Sequence, residues 1–261
     1  MDKLFEVGVT GNDTKKIESM KTLSLFLLVA AFTYCPMATA QQQSTVFLGS
    51  AGSFGVLAGT TVTNTGPSVI NGDLGVWPGT AVTGFGPGIV NGREDAGDVV
   101  AQHAQASLNV AYNDAAARTS VATHSLAGDI SGLTLAPGLY KSTSTLSLLG
   151  TVTLQGSGVY IFQIASGLTV GTGGTVVLSG GATSANVFWQ VGSSATLGTT
   201  ANFRGTILAL TSISLATGAK LDGRALAQHG AVTLDTNDVT IPLGNAVLIV
   251  PLPPPPRRVR D

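Results

Sequence analysis

Charge is scarce in this chain. Only 10% of its 261 residues are Asp, Glu, Lys or Arg, against about 25% in ordinary soluble domains. The net charge is -1, so there is no basic surface for nucleic acid or for an anionic membrane, and no long-range steering of a charged partner. Cysteine is limited to Cys35, which leaves no disulfide for the fold to lean on and no thiol chemistry. Glutamate beyond position 40 is limited to Glu94, so the paired carboxylates of a glycosidase cannot be picked out. The three histidines, His103, His124 and His229, are not spaced as His-x-x-x-His and have no cysteine partners, which removes zinc. A Gly-x-Ser-x-Gly nucleophile elbow is absent, as is the Gly/Asp nonapeptide of calcium-binding β-rolls, although Asp222, Asp235 and Asp238 fall near turns. These absences exclude the common enzyme classes and imply no metal and no cofactor.

The two ends of the chain read differently from its middle. Met20-Lys21 opens a basic start, Leu23 to Phe32 form an apolar run, and Ala38-Thr39-Ala40 supplies a small-x-small site. That order is a secretory signal peptide over 20–40, with an apolar run too short for the roughly 20 residues of a membrane span. Residues 1–19 read as an extended gene model or leader, and secretion implies no membrane association in the mature form. At the other end, residues 243–261 hold four consecutive prolines followed by Arg257, Arg258 and Arg260, a tail that favours extended polyproline conformation over packing.

What fills the middle is repetition. Gly-Leu-Thr-Val-Gly, Ala-Thr-Leu-Gly-Thr, Ile-Ser-Leu-Ala-Thr and Val-Thr-Leu-Asp-Thr recur between Gly150 and Pro242. Their hydroxyl residues, Thr169, Thr196, Ser214 and Thr233, are 27, 18 and 19 residues apart. A near-constant period of this size marks a solenoid, whose coils bury their apolar faces by stacking on one another. Three short runs per repeat describe a triangular coil of parallel strands. One side is Tyr160-Ile-Phe-Gln-Ile, Val187-Phe-Trp-Gln-Val, Thr206-Ile-Leu-Ala-Leu and Arg224-Ala-Leu-Ala-Gln, with Phe162, Trp189, Leu208 and Leu226 as a core ladder. Upstream, Asn71-Gly72 and Pro-Gly pairs punctuate further short strands from 41 to 90. Between them, Val100, Ala104, Leu108, Ala111 and Ala115 keep the helical period, predicting one long helix over about 94–118 that begins with Glu94, Asp95 and Asp98. Residues 41–242 thus form a single domain.

These segments resemble the microbial ice-binding protein family. The resemblance rests on Phe54-Gly-Val-Leu-Ala-Gly-Thr-Thr-Val-Thr-Asn-Thr-Gly, Ile70-Asn-Gly-Asp-Leu-Gly-Val, Pro78-Gly-Thr-Ala-Val-Thr-Gly-Phe, Ala185-Asn-Val-Phe-Trp-Gln-Val, Gly223-Arg-Ala-Leu-Ala and Ala231-Val-Thr-Leu-Asp. It implies an irregular right-handed β-solenoid with one long helix packed alongside, and N-terminal strands that close over the C-terminal ones. It also implies secretion, antifreeze activity as thermal hysteresis, and inhibition of ice recrystallisation.

The repeat suggests which residues would do this. With Leu168, Val170, Leu197, Leu215 and Leu234 inward, alternation turns Thr169, Gly171, Thr196, Gly198, Ser214, Ala216, Thr233 and Asp235 outward. Thr153 and Gln155 are expected to extend the rows by one coil. Thr suits any exposed strand, but here its neighbours are small and no Lys or Glu interrupts them. The coil repeat of about 4.8 Å is close to an oxygen repeat of hexagonal ice. Asp235 also suits a turn before Thr236-Asn237, and Arg204, Arg224 and Asp222 suit surface ion pairing between coils. The expected function is that of a monomeric, secreted, non-enzymatic protein whose partner is the ice crystal surface. The alternative is an adhesive or structural β-solenoid of the cell surface that binds polysaccharide.

Overall fold

The structure, a computed structural model, describes residues 43–242. The expected leader (1–19), signal peptide (20–40) and Pro/Arg tail (243–261) lie outside the described residues. Within them the chain is mainly β, with parallel strand pairing throughout, one long helix and two short 3-10 turns.

The coils are triangular. One side is a separate eight-stranded sheet, called the flat sheet below. Its spatial order is Ala81–Thr83, Thr61–Thr65, Val232–Asp235, Ile213–Leu215, Ala195–Leu197, Leu168–Val170, Leu146–Leu148 and Gly128–Asp129. The other two sides belong to a fifteen-stranded sheet. Its helix side includes Gly138–Ser142, Tyr160–Ile164 and Val187–Val191; its third side includes Thr151–Gln155 and Thr175–Ser179. The long strands Asn202–Ala209 and Lys220–Ala227 serve both sides.

Spatial order departs from chain order at one place. Phe54–Ala58 pairs with Lys220–Ala227, Thr61–Thr65 with Val232–Asp235, and Val69–Asn71 with Asp238–Thr240. The first coil therefore stacks on the last, and the chain must then travel to the far end of the stack to begin Gly128–Asp129. The helix Val99–Ala117 makes that journey. Nineteen residues rise about 28 Å, most of the roughly 34 Å covered by the steps between eight stacked strands.

The helix begins later than its composition suggests. Glu94–Ala96 is a strand paired with Asp73–Val76, so two of the three acidic residues expected in the first turn lie in a sheet. Asp98 caps the helix, its Oδ1 accepting from Ala101 N at 2.9 Å. Composition could not separate the two because the Ala-rich text starts before the helical period does.

The helix packs on the outer surface of its side of the solenoid, so strands there are buried on both faces. Tyr140, Phe162 and Trp189 point inward and stack, with ring centroids 5.1 and 3.8 Å apart. Leu139, Ile161, Phe188, Leu208 and Leu226 join Leu108, Ala111 and Ala115 under the helix. The expected ladder of Phe162, Trp189, Leu208 and Leu226 is therefore corrected. Trp189 pairs with Ile207, and Ile207 with Ala225, whereas Leu208 and Leu226 face the helix. Two-sided burial erases the alternation that would have fixed the register. The long strands turn the corner at Gly205 and Gly223, which pair with each other. Gly205 has φ +106, and a Cβ on Gly223 would lie 1.9 Å from the Gly205 carbonyl oxygen.

The two arginines also part company. Arg204 makes the expected pair with Asp222, at 2.6 Å. Arg224 is buried, not a surface ion-pair member: its Nε donates to Gly52 O at 2.9 Å and its Nη1 to Thr206 Oγ1 at 3.4 Å. Desolvation pulls its pKa down to about 10.

Candidate functional site

Alternation on the flat sheet is clean, because only one of its faces is covered. Leu168, Val170, Ala195, Leu197, Ile213, Leu215, Val232 and Leu234 are buried in the core. The residues between them point out and stand in register. Strand pairing aligns Thr83, Thr63, Thr233, Ser214, Thr196, Thr169, Ser147 and Asp129 in one column across all eight strands. Seven of those eight positions are hydroxyl residues. Thr63, Thr83, Thr169, Thr196 and Thr233 are exposed, while Ser147 and Ser214 are half-buried.

Of the ten residues expected at the site, the structure brings Thr169, Thr196, Ser214 and Thr233 into this column. Gly171, Gly198, Ala216 and Asp235 follow two residues further along each coil. Thr153 and Gln155 are corrected. They lie on the third side, where Thr153 pairs with Thr134 and Val177, and Gln155 with Ser179. The coil that truly extends the column contributes Ser147, whose flanking Leu146 and Leu148 repeat the Leu-Thr-Val pattern of Leu168–Val170. That Leu-Ser-Leu signal was present in the sequence, 22 residues before Thr169, beside a more Thr-rich strand on the wrong side. Thr63 and Thr83 repeat each other locally as Thr61-Val-Thr and Ala81-Val-Thr, but their link to the C-terminal column runs through Thr63 and Thr233, from opposite ends of the chain.

The second row is less simple than the first. A Cβ on Gly198 would meet the backbone of Gly171, Thr172 and Val170 at 2.7–2.8 Å, so glycine there is required by the adjacent coil. At Gly171 the nearest atoms belong to Leu149, at 3.2–3.4 Å, and Leu149 itself is exposed. Asp235 is held as a turn residue: Thr217 Oγ1 and Thr236 Oγ1 donate to its carboxylate, and its backbone N donates to Asn237 Oδ1. At the far end of the column Asp129 accepts from Ser131 and from Leu149 N. Those bonds, led by the Ser131 hydroxyl, lower its pKa.

Apart from Asp129 at its end, the column offers a neutral, regular surface and no enclosed site. Three grooves of 280, 340 and 420 Å³ lie on the third side or beside the helix, and none is lined by a column residue. Among the described residues no three of His, Cys, Asp and Glu gather as a metal site. Nor is any helix there long and apolar enough to cross a membrane.

The sequence model of the Ice-binding-like family matches residues 56–240, nearly the whole solenoid. The chain belongs to this family. The ice-binding protein of Nostoc sp. (strain HG1) is 48% identical over 223 residues, spanning 83% of this chain and 81% of the relative. That of Flavobacterium frigoris (strain PS1) is 38% identical, with 76% of each chain covered. Among solved structures, an ice binding protein from an Antarctic biological consortium superposes with a TM-score of 0.76 at 51% identity, covering 77% of this chain and 93% of the other. Members of the Ice-binding-like family named here are binding proteins, not enzymes. The solved relative shares the fold described above over the residues it covers.

Proposed function

We propose that this chain is a secreted, monomeric ice-binding protein that adsorbs to ice through its flat sheet. The observation that carries the reading is the single column of Thr and Ser across seven of the eight stacked strands. Each Thr methyl holds water poorly, while its hydroxyl can anchor a water in an ordered lattice. Repetition at about 4.8 Å offers many such weak contacts at once. Adsorbed molecules pin the ice front, which bulges between them, and the curvature lowers the local freezing temperature. Thermal hysteresis and inhibition of recrystallisation follow from the same pinning.

Rigidity supports this reading. A surface already ordered before binding loses little conformational entropy on adsorption. Stacking, the two-sided core under the helix and the capped helix start supply that order without disulfides. The apolar segment at 20–40 supports export.

The test is a single ice crystal grown in fluorescently labelled protein. Label should enter the ice; crystals that exclude it overturn the assignment. Export is checked separately by mass spectrometry of the secreted protein, which should begin at Gln41.

A further inference from the structure

At the corner where the helix side turns into the flat sheet, the helix and the coil edge leave a groove of about 340 Å³. Trp77 and Pro78 form one wall, Gln102, Gln105 and Asn109 of the helix another, and Gln228 contributes from the turn after Ala227. Ala106 and His229 complete the lining, which holds no Asp, Glu, Lys or Arg.

Gln228 is the telling residue. It is 7% exposed, and its Nε2 has no hydrogen-bond partner among the described residues. A buried donor left unmade costs stability, yet the chain places one here. Gln105 beside it is also buried; its Nε2 donates to Ala227 O at 3.1 Å, which leaves its Oε1 as an acceptor. The terminal torsion of glutamine is soft, so the Gln228 amide can turn toward a group entering the groove.

We propose that this groove binds a neutral saccharide. Uncharged amides offer donor and acceptor together, which suits the vicinal hydroxyls of a pyranose. The half-buried Trp77 indole offers an apolar body for the C–H face of the same ring. No Lys or Arg stands in the lining to hold an anion. A groove near the lower end of the roughly 300–1,000 Å³ range of small-molecule sites accommodates one or two sugar rings. This site is distinct from the Thr/Ser column and does not depend on ice binding.

Tryptophan fluorescence of the mature protein tests it directly. The chain has two tryptophans, Trp77 and Trp189, and Trp189 is fully buried, so a saccharide-dependent change reports on Trp77. Cellotriose, laminaritriose and maltotriose, titrated to about 10 mM, serve as probes. At least one should give a saturable change. Gln228→Leu should weaken it about tenfold while leaving thermal hysteresis at the wild-type level. Asn109→Ala, on the exposed helix surface, should weaken it without risk to folding. No saturable change with any probe, or unchanged titrations in both variants, overturns the proposal.

Discussion

Thr63 and Thr233, 170 positions apart in the chain, stand side by side on the flat sheet with their Oγ1 atoms 3.5 Å apart. Their pairing joins the N-terminal coil to the last C-terminal one and makes the column continuous. Without it the hydroxyl face would stop at Thr233; with it the face gains two further strands.

Bulk on the column should therefore act the same way wherever along the chain it is introduced. Thr63→Tyr, Thr196→Tyr and Thr233→Tyr should each remove most thermal hysteresis while circular dichroism and melting temperature stay native. Thr151→Tyr, exposed on the third side, is the control and should keep activity. Thr206 cannot serve that purpose, because it is fully buried beside Arg224. Full activity in the column variants would place the ice contact on another side.

Gly198 tests packing and not ice contact. Its Cβ would run into the neighbouring coil's backbone, so Gly198→Ala should destabilise by about 1–3 kcal/mol, the usual cost of overpacking. A thermal melt within a degree of wild type would show that the coils can spread to admit a methyl.

The helix is a structural strut. Leu108 is fully buried between it and the solenoid, and Leu108→Asp should cost about 3–5 kcal/mol as an unpaired buried charge. Val110→Asp, two residues on and 68% exposed, should melt like wild type. Equal melting of the two variants would mean the helix does not pack as described.

Asp95 carries a pH signature. It is 7% exposed, its Oδ2 lacks a hydrogen bond, and Arg93 stands 3.7 Å away. Desolvation outweighs Arg93 and raises its pKa. A carboxyl whose folded pKa lies above its unfolded value is a source of stability at low pH, lost as pH rises through the two values. Asp95→Asn should thus raise the melting temperature at pH 7, and the gain should vanish near pH 3. A gain of equal size at both pH values would assign it to some other cause.

The sequence alone determined the class of fold and the kind of surface. Scarce charge, a single cysteine outside the solenoid and a recurrent apolar-hydroxyl-apolar run leave little besides a stacked solenoid with a neutral, regular face. Alternation was legible on the flat sheet because one side of it meets water, so Thr169, Thr196, Ser214 and Thr233 could be read from their spacing. Tertiary structure decided everything that depends on which coil lies next to which. Leu208 and Leu226 turned toward the helix because two-sided burial leaves no polar residue to mark the pleat. Thr153 and Gln155 fell on the third side because a local pattern does not say which edge of the triangle a strand occupies. Thr63, with Thr83 stacked on it, joined the column because the first coil closes over the last, a contact between distant segments that no local period can encode.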